Sequence, residues 1–149
     1  FYLGTFISHT LSSIYKLDIE AKESDLKNNI IVVGGPAVNM VTKRLNRFMP
    51  VFFDMKHDRD IVSKISRKRY REDETGCINL IANPFSKKHR VLVIAGKRFP
   101  GTLAATLAFI KHTEEVLKGN RFRRGVVSRV VRGFDMDGDG RVDDVEIVE

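Results

Sequence analysis

The chain has 149 residues, 42% of them hydrophobic. That is enough to bury the core of one domain, and no apolar run approaches the roughly 20 residues needed to cross a bilayer. Its net charge of +7 is unevenly spread: residues 135–149 hold seven acids and one Arg, which leaves 25 basic against 12 acidic residues over 1–134, or +13. The single Cys77 excludes an internal disulfide and every zinc site built from paired cysteines, and it reads as a small buried apolar residue.

No Met opens the chain, and residues 1–6 lack the basic, apolar, small-residue order of a signal peptide. The chain is therefore read as a piece of a longer protein, with the rest of that chain or another protein as a neighbour. Leu3, Ile7, Leu11, Ile14 and Leu17 recur at helical spacing and predict an amphipathic helix over 3–17, with a polar connection to residue 28. The β-branched run Ile30, Ile31, Val32, Val33 predicts a strand buried on both faces, stopped by Gly34, Gly35 and Pro36. Past that turn, Val38, Val41, Leu45 and Phe48 share one helical face, and Pro36 suits a helix's first turn.

Val51, Phe52 and Phe53 form a short second strand, and residues 54–75 are so charged that they are assigned to a solvent-facing helix or an ordered excursion. Strands follow at 77–81, stopped by Asn83 and Pro84, and at 91–95, ended by Gly96. Pro100, Gly101 and Thr102 open a helix with Leu103, Leu107, Ile110 and Leu117 on one stripe and Gly119 as its stop. Valines at 126, 127, 130 and 131 favour a strand, because β-branched side chains lose rotamer freedom in helices. Alternating strands and helices predict a single α/β domain: a mainly parallel sheet with helices on both faces, plus a C-terminal β-hairpin carrying an EF-hand-like loop. Its parts are an N-terminal helix and connection over 1–28, core β/α units over 29–119, and strand, loop and strand over 120–149.

Residues 135–146 fit the calcium-loop pattern D-x-D-x-D-G with Glu in the twelfth place. Calcium takes six to eight oxygens, and alternate carboxylates on a tight turn supply them from one short segment. The expected metal ligands are Asp135, Asp137, Asp139, the Arg141 carbonyl, Asp143 and Glu146, with Gly140 permitting the turn and Val142 facing inward. The alternative is an acidic turn without metal, its repulsion relieved by Arg129 or Arg132. Unlike an EF-hand, the loop is entered by a strand and joins strands at 126–134 and 142–148, so it is expected to stabilise and not to signal.

Two glycine turns, Gly34 with Gly35 and Gly101 with Thr102, follow strands and precede helices, where backbone N–H groups favour an anion. Lys97 and Arg98 add positive charge there, but neither turn is a G-x-G-x-x-G or a P-loop, so a nucleotide- or phosphate-binding enzyme site stands beside plain tight turns. The basic clusters Lys64, Arg67, Lys68, Arg69, Arg71, then Lys87, Lys88, Arg90, then Arg121, Arg123, Arg124 open a further reading, a nucleic-acid-binding module with Phe122 and Tyr70 interleaved. No catalytic residue is assigned: Asp54, His57 and Asp58 lie close together after a strand, which ordinary exposed polar residues also do, and no metal-binding His spacing or G-x-S-x-G elbow is present.

Four segments together resemble the archaeal S-layer-like proteins: residues 31–39 with Gly34, Gly35, Pro36 and Asn39; 81–85 with Asn83 and Pro84; 91–96 followed by 101–105, with Gly96 and Gly101; and the closing 133–146. The resemblance implies a cell-surface protein with a structural role and no catalysis, those residues being fold-defining. A cytoplasmic location is left open by the residues themselves.

Overall fold

The computed structural model describes residues 14–149. In chain order they form strands β1 (Ile30–Val33), β2 (Val51–Asp54), β3 (Asp60–Ser63), β4 (Arg69–Tyr70), β5 (Thr75–Ala82), β6 (Arg90–Gly96), β7 (Ser128–Phe134) and β8 (Asp144–Ile147). The helices are α1 (Glu23–Leu26), α2 (Met40–Leu45), α3 (Phe99–Lys111) and α4 (Thr113–Leu117). Most of the helix expected over 3–17 lies outside the described residues, and 14–17 carry no regular secondary structure.

Five strands make the main sheet in the order β1-β6-β5-β7-β8, and β2-β3-β4 make a small antiparallel one. Only β1 and β6 run parallel; β6–β5, β5–β7 and β7–β8 are all antiparallel. This overturns the expected mainly parallel sheet with helices on both faces. The unalternating runs in β5 and β6 do mark burial on both faces, but the second cover is the small sheet and not a layer of crossover helices. On one face α3 lays Ala104, Ala105, Ala108 and Phe109 over Ile78, Leu92, Ile94 and Val131. On the other, Leu45, Met49, Val51, Phe53, Ile61 and Tyr70 pack against Val32, Cys77, Ile81, Val91, Val93 and Val130. Burial pushes the Cys77 thiol up to about 12, so it stays protonated and unreactive near neutral pH.

The solvent-facing helix considered for 54–75 is absent among the described residues. Asp60, Ile61, Val62 and Ser63 form a strand instead, pairing with β2 along its length and with β4 through Ile61 and Val62. β1 departs from expectation in another way. It is the edge of the main sheet, and Ile31 and Val33 are 41% and 42% exposed because α3 packs over β5 to β8 and leaves β1 uncovered.

Buried amides tie the layers together. Asn79 imitates a strand edge, accepting from Val51 N–H at 3.2 Å and donating to its carbonyl at 3.1 Å, while its oxygen also takes the Ser128 hydroxyl at 2.8 Å. Asn83 donates to the Leu26 and Asn28 carbonyls, both at 2.7 Å, and so fixes α1 to the β5–β6 turn. Asn39 caps α2 by accepting from Thr42 N–H at 3.0 Å.

Candidate functional site

The β7–β8 hairpin carries the aspartate loop at its tip. Phe134 pairs with Asp144, and Val142 is 8% exposed, wedged between Gly133 and the helix α3 so that the loop sits on the core. Lys111 at the end of α3 donates to the Asp143 carbonyl at 3.0 Å. Within the loop, Asp135 accepts from Gly138 N–H and Gly140 N–H, both at 2.7 Å. The Gly140 bond is the largest influence holding the Asp135 carboxyl below its ordinary range. Gly138 and Gly140 take φ of +79° and +85°, which only glycine adopts cheaply.

Carboxylate oxygens of Asp135, Asp137 and Asp143 all lie within 4.8 Å of one another. Asp139 instead accepts from Arg141 N–H at 2.8 Å and stands outside that group. Glu146 lies on β8 in register with Arg132, also outside it. Neither cation suggested as an internal counter-ion serves the loop: Arg132 pairs with Glu72 at 3.1 Å, and Arg129 donates to the Glu115 carbonyl at 2.9 Å. The loop carboxylates, all exposed, therefore face one another without a paired lysine or arginine among the described residues.

Beyond the ends of β1 and β6 in the same sheet, the candidate anion-binding residues are engaged by the chain itself. Gly34 N–H donates to the Ile94 carbonyl at 2.9 Å, and Met40 N–H at the start of α2 is taken by Asp18 at 2.8 Å. Gly35, Gly96 and Gly101 lie where backbones meet, so they are packing positions. Thr102 donates its hydroxyl to the Arg98 carbonyl at 3.4 Å. Lys97 is nearly buried, 3.0 Å from Asp60, 3.2 Å from Asp58 and 2.6 Å from the Arg71 carbonyl. Arg98 pairs with Asp58 at 2.8 Å, Arg69 with Asp54 and Asp60, and Arg71 with Asp60 at 3.7 Å. Asp54 also holds His57 at 2.7 Å, and Arg69 first and His57 second keep its carboxyl far below the usual range. Burial works against the ionised Asp60, but Lys97 and Arg69 outweigh it and leave its carboxyl lowered.

Substituting Asp60 by Ala is expected to cost about 2 kcal/mol, because Lys97 is left nearly buried and loses its one buried carboxylate, keeping only the exposed Asp58 and Asp73 and the Arg71 carbonyl. Urea denaturation reads this directly, and an unchanged midpoint would show that Asp58, Asp73 and the Arg71 carbonyl satisfy the lysine without Asp60.

The remaining basic candidates split by position. Lys87, Lys88 and Arg90 are exposed around the β5–β6 turn. Lys64, Arg67 and Lys68 lie in the β3–β4 turn, and Arg121, Arg123 and Arg124 in the loop before β7; all six are exposed. These two segments meet over a residue that sequence reasoning did not single out. Glu149 is fully buried, and its carboxylate accepts from Ser63 at 2.6 Å, Ser66 at 2.6 Å, Tyr70 at 2.8 Å and Asn120 at 3.0 Å. Burial opposes its charge, yet the four donors together hold its carboxyl below the ordinary range. Burial, with Glu149 beside it, drives the Tyr70 hydroxyl upward.

The family described as "S-layer like family, outer domain" matches residues 8–113. That span includes β1 to β6 and all of α3, and it stops before the loop over Glu149 and the aspartate hairpin. Against the curated proteins and the solved structures the chain gives no match.

Proposed function

The chain belongs to the S-layer-like family through that family's outer domain, and on this footing we propose a noncatalytic structural domain whose β7–β8 hairpin is pinned by one calcium ion. The convergence of the Asp135, Asp137 and Asp143 carboxylates carries the reading. Hard carboxylate oxygens suit calcium, which tolerates irregular geometry and completes its shell with carbonyls and water. Asp139 and the Arg141 carbonyl are close in sequence and would fill further places, whereas Glu146 sits on the strand. The ion would supply the positive charge that no lysine or arginine among the described residues gives the loop, and it would hold the hairpin tip to α3 through Asp143 and Lys111. Since no helix pair flanks the loop, binding would stiffen the fold without opening a groove. A cell-surface setting, where calcium is plentiful, agrees with the family.

Thermal unfolding with excess calcium and with a chelator tests this. Ligand bound only to the folded state adds RT ln(1 + [L]/Kd), about 2.7 kcal/mol at a hundredfold excess. For a chain of this size that raises Tm by roughly 5–10 °C. The Asp135→Ala and Asp143→Ala variants should lose the shift; equal melting with and without calcium would leave the loop an acidic turn.

A further inference from the structure

Strand β8 is anchored at its two ends and held lightly between them. Val145 and Ile147 are only half-buried, and among the described residues the strand pairs with β7 alone. Asp143, one of the three converging carboxylates, directly precedes it. The Asp143 N–H donates to the Phe134 carbonyl at 2.9 Å, and its carboxylate accepts from Met136 N–H at 3.1 Å. At the far end the Glu149 N–H donates to the Val130 carbonyl at 3.1 Å, and its side chain enters the socket of Ser63, Ser66, Tyr70 and Asn120. Residues 143 and 149 stand about 20 Å apart along extended chain. A strap that short, with one open edge, loosens as one cooperative unit.

Glu149 also shapes the turn that it enters. The Ser63 hydroxyl donates to the carboxylate, and its oxygen accepts from Ile65 N–H and Ser66 N–H, both at 3.1 Å. The Ser66 hydroxyl donates likewise, and its oxygen accepts from Lys68 N–H at 3.3 Å. Arg67, beside them, holds φ of +62°, a left-handed conformation that costs a non-glycine residue stability. The β3–β4 turn thus rests on two serines that one carboxylate orients, with a strained residue at its centre. It keeps this shape while Glu149 is seated and relaxes when Glu149 leaves.

We infer that β8 is a latch: calcium at the aspartate loop holds Glu149 in its socket and so sets the order of the β3–β4 turn at the other end of the strap. The latch rests on the calcium reading given above and adds a second place where the ion is felt. The coupling is reciprocal, so a seated Glu149 strengthens ion binding by the factor that the ion strengthens seating.

Hydrogen–deuterium exchange of the whole chain, read at single amides with excess calcium and with chelator, tests it beside calorimetric titration with calcium. Calcium should slow exchange of the Ile65, Ser66 and Lys68 amides by about tenfold or more. The Ser86 and His89 amides, which bond within the β5–β6 turn, should exchange alike in both conditions. Glu149→Gln should still give heat with calcium, bind it more weakly, and lose most of the slowing at the three amides. Val142→Ala loosens the hairpin tip without removing a carboxylate, and in chelator it should speed the same three amides while Ser86 and His89 stay as they were. An absence of heat with calcium would remove the ion site and the latch together. Heat in the parent with unchanged exchange at Ile65, Ser66 and Lys68 would overturn the latch and leave the calcium reading standing. Equal slowing at Ser86 and His89 would also overturn it, because the ion would then only steady the whole fold.

Discussion

Replacing Gly96 with Ala should cost about 4 kcal/mol or more and leave the domain largely unfolded on mild heating. A Cβ at this position would collide with the Thr102 nitrogen and the Gly101 carbonyl carbon, and would sit 2.7 Å from the Gly101 Cα. Every one of these atoms is backbone, so no side chain can swing aside, and the start of α3 would have to lift off β6. Gly101 is tight for the matching reason: its added carbon would meet the Thr75 backbone and lie 3.0 Å from the Asp73 carbonyl oxygen. Gly76 closes the contact from β5, where a Cβ would come 2.9 Å from that of Ala105. Three glycines thus let a helix rest directly on two strands. Gly125→Ala makes the control, since nothing lies within 4 Å of it and only its φ of +82° is strained; about 1 kcal/mol is expected there. If Gly96→Ala melted within a few degrees of the parent, the helix–sheet contact would be looser than the structure draws it.

Glu149→Ala should be nearly as damaging, at about 3–5 kcal/mol. It strips the acceptor from Ser63, Ser66, Tyr70 and Asn120 at once, in a place closed to water. Glu149→Gln should cost less, about 1–2 kcal/mol, because the amide oxygen still serves two donors and the hydroxyls can rotate to accept from its nitrogen. The acid limb of the stability profile separates charge from shape. A carboxyl lowered in the folded state is more readily protonated in the unfolded chain, so its stabilisation is complete above the unfolded pKa. That stabilisation drains away as pH falls through the lowered native value. Denaturant midpoints measured from pH 7 down to pH 3 should therefore fall less in the Gln variant. Parallel curves for parent and variant would show that other carboxylates govern the acid limb.

How far the sequence disclosed this arrangement depended on the kind of signal each part carries. Apolar runs announced β5 and β6, which are buried on both faces, and the β-branched run announced β1, although that strand lies at an uncovered edge. The aspartate loop was visible because its carboxylates all come from one short segment. Strand direction was not, because a run covered on both faces looks the same whether helices or a second sheet cover it. Residues 54–75 misled through their charge: Asp54, Asp60, Arg69 and Arg71 neutralise one another across paired strands, which no local pattern reveals. Asn79, Asn120 and Glu149 were equally hidden. A buried polar residue is defined by partners remote in the chain, and a glutamate in an acidic tail reads as a solvated one.

The Glu149 socket also sets the order in which this domain can be completed. Its carboxylate closes on Ser63, Ser66 and Tyr70, which lie 86, 83 and 79 residues earlier in the chain. During synthesis those residues leave the ribosome long before their acceptor does. Until residue 149 has cleared the exit tunnel, the β3–β4 turn lacks its buried partner, and β7 waits with one edge unpaired for β8. The nascent chain therefore passes through a state with an open sheet edge, and contacts of such long sequence separation place it among slower-folding topologies. Sheltering that edge until β8 emerges is the demand this architecture puts on the cell that makes it.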